Sequence, residues 1–271
     1  DSANLRLSSG DFTVECWVQT TQSATVYTAG LIAQYTDAGA AGCYILGVRS
    51  NVIWVWDNAT NYSGTANVSN GLWNHVAWVR SGSGTNNNKV YVNGVLDYQF
   101  TNTTNFTGGG APFRVGAWGN TTTGGGFTAT TYISNARVVV GTAVYTGAFT
   151  PPTATLTAIA NTKVLTAQSN RWIDNSTNAF TITGNGSISV QAFSPLAPTT
   201  TYSTANVGGS MYLDGSGDEI NAGSNTALAF GTGAYTVEMW VYPTAASSSY
   251  SAGAGPCRSE EHTSELQSRQ Y

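Results

Sequence analysis

Apolar and polar residues alternate along most of this chain. In "DFTVECWVQT", Phe12, Val14, Cys16 and Val18 fall on one side, and Thr13, Glu15, Trp17 and Gln19 on the other. A period of two marks a strand that turns one face to a core. "CYILGVRS" and "NVIWVWD" read as two strands meeting at Ser50 and Asn51, and "WNHVAWVRSG" and "NKVYVNGVLDY" as the next pair. The link "SGSGTNNN" between that pair has the glycine and asparagine of a hairpin loop, and Asn93-Gly94 marks a second tight turn. "FRVGAW", "TYISNARVVV", "TKVLTAQS" and "AFTITG" continue the series. Apolar spacing of three and four is not sustained anywhere over about eleven residues, so very little helix is expected. Pro151 and Pro152 in "FTPPT" exclude a central strand and should lead the chain across a sheet edge. "LTAQSNRWIDNSTNAFTITGNGSISVQAFSP" is then expected to return as further strands. The pattern predicts an all-β fold, a two-sheet antiparallel jelly-roll sandwich.

A repeat sets the expected domain layout. "SNTALAFGTGAYTVEMWVYPT", from Ser224, aligns without gaps onto "DSANLRLSSGDFTVECWVQTT", from Asp1. Phe12 falls on Tyr235, Glu15 on Glu238, Trp17 on Trp240 and Leu5 on Leu228. The second copy also has an upstream strand, "SMYLDGS", with no counterpart before Asp1. The expectation is a first module at 1–193 lacking its first strand, a linker at 194–209 rich in proline, threonine and glycine, and the truncated start of a second module at 210–257. The edge left by the missing strand invites pairing, and "SMYLDGS" is expected to fill it. Residues 258–271 differ from everything before them, and "RSEEHTSELQS", Arg258 to Ser268, resembles the translation of a sequencing-library adapter. That tail is expected to be an artefact, disordered or a spurious helix; the other reading is a charged C-terminal helix with a capping-box start at Ser259.

Composition narrows the function classes. Of 271 residues 41% are hydrophobic, enough for a sizeable core, but only 9% are charged. Solubility therefore rests on hydroxyls and amides, as in secreted or virion-surface β-proteins. The formal charge is −4, and no basic cluster is present to neutralise a phosphate backbone, so nucleic acid is not an expected partner. The longest apolar runs, such as "RVVVGTAVY", are too short to insert in a membrane as a spanning helix. Cys16 and Cys43 sit in apolar strand-like runs and read as buried free thiols, although spacing alone leaves a disulfide open.

Four phrases in order, "DFTVECWV", "WNHVAWVRSG", "KVYVNGV" and "YISNARVVVGTAVYTGAFTPPT", resemble the concanavalin A-like, laminin-G-like jelly-roll family. The subtype is similar to virion structural proteins of tailed phages, including marine metagenomic ones. The resemblance spans residues 1–193 and restarts at Ser210. It implies a two-sheet sandwich with a surface or adhesive role, often lectin-like, outside the cell or on a virion. It does not imply catalysis.

The candidate sites follow. A glucanase needs two carboxylates facing one groove, and Glu15 has no acidic neighbour at strand spacing; its recurrence as Glu238 points to a structural ion pair or hydrogen bond. His75 reads as a satisfied core or edge histidine. Sugar binding needs an aromatic face for C–H groups and amides or carboxylates for hydroxyls. Trp54 and Trp56 share a face, with Asp57, Asn58 and Asn61 in the following loop, and Trp118 stands beside Asn120. The competing reading is that these tryptophans cover the second face of a sheet buried on both sides. Calcium is common in laminin-G-like domains; Asp37, Asp57 and Asp97 are the candidates here, each isolated from other acids. Sequons at Asn58, Asn61, Asn67, Asn102, Asn105, Asn120 and Asn175 follow from a composition rich in Asn and Thr. The preferred role is a non-enzymatic virion or cell-surface adhesion module, with a cell-surface glycan and other virion or fibre subunits as partners. The alternatives are a ligand-free structural spacer of a phage tail or fibre and, third, a glycoside hydrolase accessory module.

Overall fold

In the computed structural model, residues 3–23, 29–36, 40–119, 125–169, 171–191, 194–196 and 232–236 are described. The strands in chain order are β1 (Phe12–Thr20), β2 (Ala29–Gln34), β3 (Tyr44–Arg49), β4 (Val52–Trp56), β5 (Asn61–Asn67), β6 (Trp73–Arg80), β7 (Asn88–Val92), β8 (Val95–Phe100), β9 (Phe113–Val115), β10 (Thr131–Val140) and β11 (Thr162–Thr166). A 6-stranded sheet runs β11-β10-β1-β6-β7-β8, and a 5-stranded sheet runs β5-β4-β3-β2-β9. Among the described residues every ladder is antiparallel. Among the described residues the helical pieces are two short 3-10 turns, Ala3–Leu5 and Gly108–Gly110. The all-β jelly-roll sandwich expected from the alternation is the fold.

The core lies where the period-two pattern places it. Phe12, Val14, Cys16 and Val18 are fully buried, and they share one cluster with Leu31, Leu46, Val55 and Trp78 from both sheets. Val14 sits opposite Trp78 on β6 and Val138 on β10. The Trp78 ring packs edge-on against Phe12 at 4.7 Å, and its indole N–H donates to Asn88 Oδ1 at 3.0 Å. Burying each such side chain contributes about 1.5–3 kcal/mol, which makes this layer the main source of stability.

Two hairpins turn as their residues require. Ser50 and Asn51 have φ of 50° and 71°, and Asn93 and Gly94 have 51° and 78°. Paired positive φ values match the right-handed twist of the flanking strands. Gly94 has a second reason to lack a side chain: a Cβ there would lie 1.8 Å from the Phe149 carbonyl oxygen.

That contact belongs to a third layer. After β10 the chain lays Ala143, Tyr145 and Phe149 over Ala77, Val79 and Tyr91, on the outer side of the six-stranded sheet. Phe149 N–H donates to Gly94 O at 3.0 Å. Pro151 follows against the β7–β8 turn, once the chain has crossed this face. Thr13 and Glu15 on the outer face of β1 are therefore as dry as the core face, while Trp17 and Gln19 on the same face stay half-buried.

Alternation alone passes over two strands and adds others that do not form. β2, "AGLIAQ", is buried along its whole length, and β5, "NYSGTAN", is mostly polar but packs Tyr62 and Ala66 against the main core beside β4. After β11, the expected return strands reduce, within the described residues, to one isolated bridge, Ile173 to Thr181. Asp174 explains this. Its carboxylate accepts the backbone N–H groups of Leu165, Ser176 and Phe180, at 2.9, 2.9 and 3.0 Å, so a side chain takes the place of a neighbouring strand.

Contacts divide the chain into two units, Asp1–Tyr202 and Ser203–Tyr271. Only residues 232–236 of the second are described. Apart from those five residues, the second-copy reading of 210–257, the tail at 258–271 and the expected strand Ser210–Ser216 lie outside the described residues.

Candidate functional site

β4 turns Ile53 and Val55 inward and Trp54 and Trp56 outward. On the outer side they meet β2 and the segment after β9. The Tyr35 ring stands 4.9 Å from Trp56 and 5.2 Å from Trp118, tilted 69° and 66°. The fold thus brings all three predicted tryptophans into one patch, joined by a residue the sequence reading missed. The alternation of Ala33 and Tyr35 with Ile32 and Gln34 is the signal that could have found it.

The three are not equivalent. Trp54 is only 4% exposed, packed among Ala33, Tyr35, Cys43 and Ile45. Its indole N–H donates to Asn61 Oδ1 at 2.7 Å. Trp54 therefore serves as a second-face core residue, as the competing reading has it. Trp56 and Trp118 remain half-buried and present ring surface. The second-face reading thus holds for Trp54, and burial sets Trp54 apart from the other two.

Asp57 is not available to a ligand as expected. Its Oδ1 accepts Ala59 N–H at 2.9 Å and Thr60 N–H at 2.6 Å, and its Oδ2 accepts Tyr62 O–H at 3.2 Å and Asn102 Nδ2–H at 2.5 Å. The carboxylate closes the β4–β5 turn. Through Asn102, whose Oδ1 accepts Arg80 NH2 at 3.1 Å, it also links the two sheets. Four donors aimed at one carboxylate do not fit a calcium ion, which needs lone pairs free of protons. Asp97 is likewise engaged: its Oδ1 accepts Thr65 and Ala66 N–H, each at 3.0 Å, and ties β8 to β5. Asn58 is half-buried with φ of 74°. Asn120 and Asp37 lie outside the described residues. Among the described residues no three His, Cys, Asp or Glu side chains gather.

Glu15 and His75 meet under the third layer. Glu15 Oε1 takes Arg137 NH2 at 2.6 Å and Nε at 2.8 Å. Glu15 Oε2 is 3.1 Å from His75 Nε2 and accepts Tyr145 O–H at 2.8 Å. Burial pushes the Glu15 carboxyl upward, but the His75 hydrogen bond, the Arg137 charge and the Tyr145 hydroxyl together outweigh it and hold it low. Glu15 and His75 have no solvent-exposed surface, and Arg137 is 4% exposed. This is the ion pair expected of Glu15, and it pins the covering segment: Tyr145 is in it, and Arg137 NH1 also donates to Thr157 O at 3.0 Å.

Cys16 and Cys43 are both free and buried, on opposite sides of the sandwich wall. Among the described residues no helix is long and apolar enough to cross a membrane.

Comparison with known proteins adds the following. A family model described as "Concanavalin A-like lectin/glucanases superfamily" matches residues 1–139. No curated protein matches the chain. Among solved structures, a Bacteroides ovatus protein assigned provisionally to carbohydrate binding is similar at 15% identity and a TM-score of 0.44, over 62% of this chain and 49% of that one. Domain 4 of an extracellular arabinanase from Geobacillus stearothermophilus, solved with arabinotriose, is 27% identical with a TM-score of 0.35, over 53% of this chain and 64% of that one. The CBM40 of a Ruminococcus gnavus sialidase, bound to α2,3 sialyllactose, is 14% identical with a TM-score of 0.39, over 52% and 80%. The chain spans less than two thirds of the first two of these proteins.

Proposed function

The chain belongs to the concanavalin A-like lectin/glucanases superfamily, and from that premise we propose that it is a non-catalytic adhesion module that binds carbohydrate weakly on the outer face of its five-stranded sheet. One observation carries the reading: Trp56 and Trp118 are half-buried side by side on Tyr35, an aromatic surface on a rigid sheet. Such a surface suits the C–H face of a sugar, and locked rings lose little entropy on binding. Asn61, opposite Trp56 on β5, supplies an amide at its rim. Trp54 and Asp57 support the surface from beneath rather than touch the ligand.

The wider setting belongs to the same proposal. The module is part of a tandem protein displayed on a virion or cell surface, of the phage structural subtype. Residues 210–257 open its second copy, and residues 258–268 come from adapter. Sequencing the locus directly tests both: read-through past Cys257 into further strand-like sequence is expected, and recovery of "RSEEHTSELQS" from untagged DNA would overturn the adapter origin.

The binding test is intrinsic tryptophan fluorescence titrated with soluble polysaccharides, beside a glycan array. A saturable change is expected, lost in Trp56→Ala and in Trp118→Ala. Silence across a broad panel, or responses unchanged by both substitutions, would favour the spacer reading. That reading has its own support in Trp54 and Asp57, whose polar atoms are consumed by internal bonds.

A further inference from the structure

We propose that the glycan bound on this face is acidic, its carboxylate held by Arg49; the inference rests on the carbohydrate reading above and names the ligand class. Arg49 closes β3, on the same side of the strand as Ile45, which packs in the outer cluster. It reaches across to β5, where its NH1 donates to Asn61 Oδ1 at 3.4 Å. The same oxygen takes the Trp54 indole N–H, and Asn61 stands directly opposite Trp56. Arg49 itself pairs with Val52 at the other end of β4, so its side chain runs back over Trp54 to Asn61, and Asn61 is the link between the guanidinium and Trp56.

Arg49 differs from the buried arginines. Arg137 is spent on Glu15, and Arg80 is enclosed over the Phe12 and Phe106 rings, 4.9 and 4.7 Å from their centroids. Arg49 is half-buried, and among the described residues no carboxylate stands within ion-pair distance of it. Its one hydrogen bond is long and uses one donor of five. A half-buried guanidinium beside an aromatic surface, in a chain with only 10 Lys and Arg among 271 residues, keeps the planar donor fork that suits a carboxylate. A uronic acid supplies both halves: a ring face for Trp56 and a carboxylate for Arg49.

The test uses the full chain and two forms of one polymer, polygalacturonate and its fully methyl-esterified counterpart, with dextran and dextran sulfate as a second pair. Binding is followed by fluorescence and by affinity electrophoresis at low and high salt. Wild type is expected to prefer polygalacturonate over the ester by about tenfold at low salt, a charge-assisted contact that salt weakens. Arg49→Gln should abolish the preference by bringing polygalacturonate binding down to the level of the ester, Arg49→Lys should keep part of it, and Trp56→Ala should lose both polymers. Equal binding of acid and ester by wild type, or an unaltered preference in a folded Arg49→Gln, would overturn the inference and leave the carbohydrate reading standing. A preference confined to dextran sulfate would overturn the carboxylate assignment. No retention of any of the four would sink the carbohydrate reading and this inference with it.

Discussion

Replacing Glu15 with Gln is the sharpest perturbation this fold offers. The shape is nearly unchanged, but a buried negative charge disappears. In the native protein that charge answers the Arg137 guanidinium through contacts at 2.6 and 2.8 Å, and its other oxygen holds His75 and Tyr145. Glutamine can still accept one bond from Arg137. It cannot neutralise a guanidinium that is 4% exposed, with no second carboxylate against it among the described residues. Removing one partner of a buried pair costs about 3–5 kcal/mol, because the survivor stays desolvated and uncompensated. Arg137→Met should cost a similar amount for the mirror-image reason. The double variant should recover part of the loss, since two neutral side chains leave no orphan charge, so the cycle should show coupling of about 2 kcal/mol. The assay is equilibrium unfolding in urea, followed by far-ultraviolet circular dichroism. A Glu15→Gln cost below about 1 kcal/mol, or single costs that simply add within about 0.5 kcal/mol, would refute the account of this cluster as a mutually dependent pair.

Three further outcomes are expected. The Glu15 carboxyl is held below its ordinary value in the folded state, so its contribution is complete above the unfolded carboxylate range and is lost as pH falls through the lower folded value; stability of wild type should drop more steeply with acid than that of Glu15→Gln, and parallel curves would contradict this. Gly94→Ala should lower stability by more than about 1 kcal/mol through both its positive φ and the Phe149 contact, and a thermal midpoint equal to wild type would show the covering segment to be loosely held. Burial pushes the Cys16 thiol well above its usual range, with the Glu15 charge adding to it, so Cys16 should resist a thiol reagent until the chain is denatured, and Cys43 should do so because it is enclosed; rapid native labelling of either would show that its side of the sandwich opens.

Tertiary effects account for the places where sequence reading and structure part. Asp57 has the residue type and loop position of a sugar ligand, yet the β4–β5 turn and Asn102 take all of its capacity. Tyr35 carries no motif, and it matters because the segment after β9 comes back to β2, setting Trp118 beside it. Arg49 is an ordinary strand-end arginine in sequence; its role arises from what lies beside it on β5. The strands foreseen after Thr166 fail because Asp174 satisfies the backbone locally.

What the residues determined unaided is whatever depends on neighbours along the chain. A period of two assigns Phe12, Val14, Cys16 and Val18 to one dry face whatever the partner strand, and Asn93-Gly94 turns the chain wherever the hairpin sits. What only the tertiary structure decided is which polar groups find each other across long separations. Glu15 with Arg137, Asp57 with Asn102, and Tyr35 with both Trp56 and Trp118 are such meetings. Burial follows from an average over a face, and alternation records that average. A hydrogen bond or ring contact depends on a few tenths of an ångström between two particular strands, which no local pattern encodes.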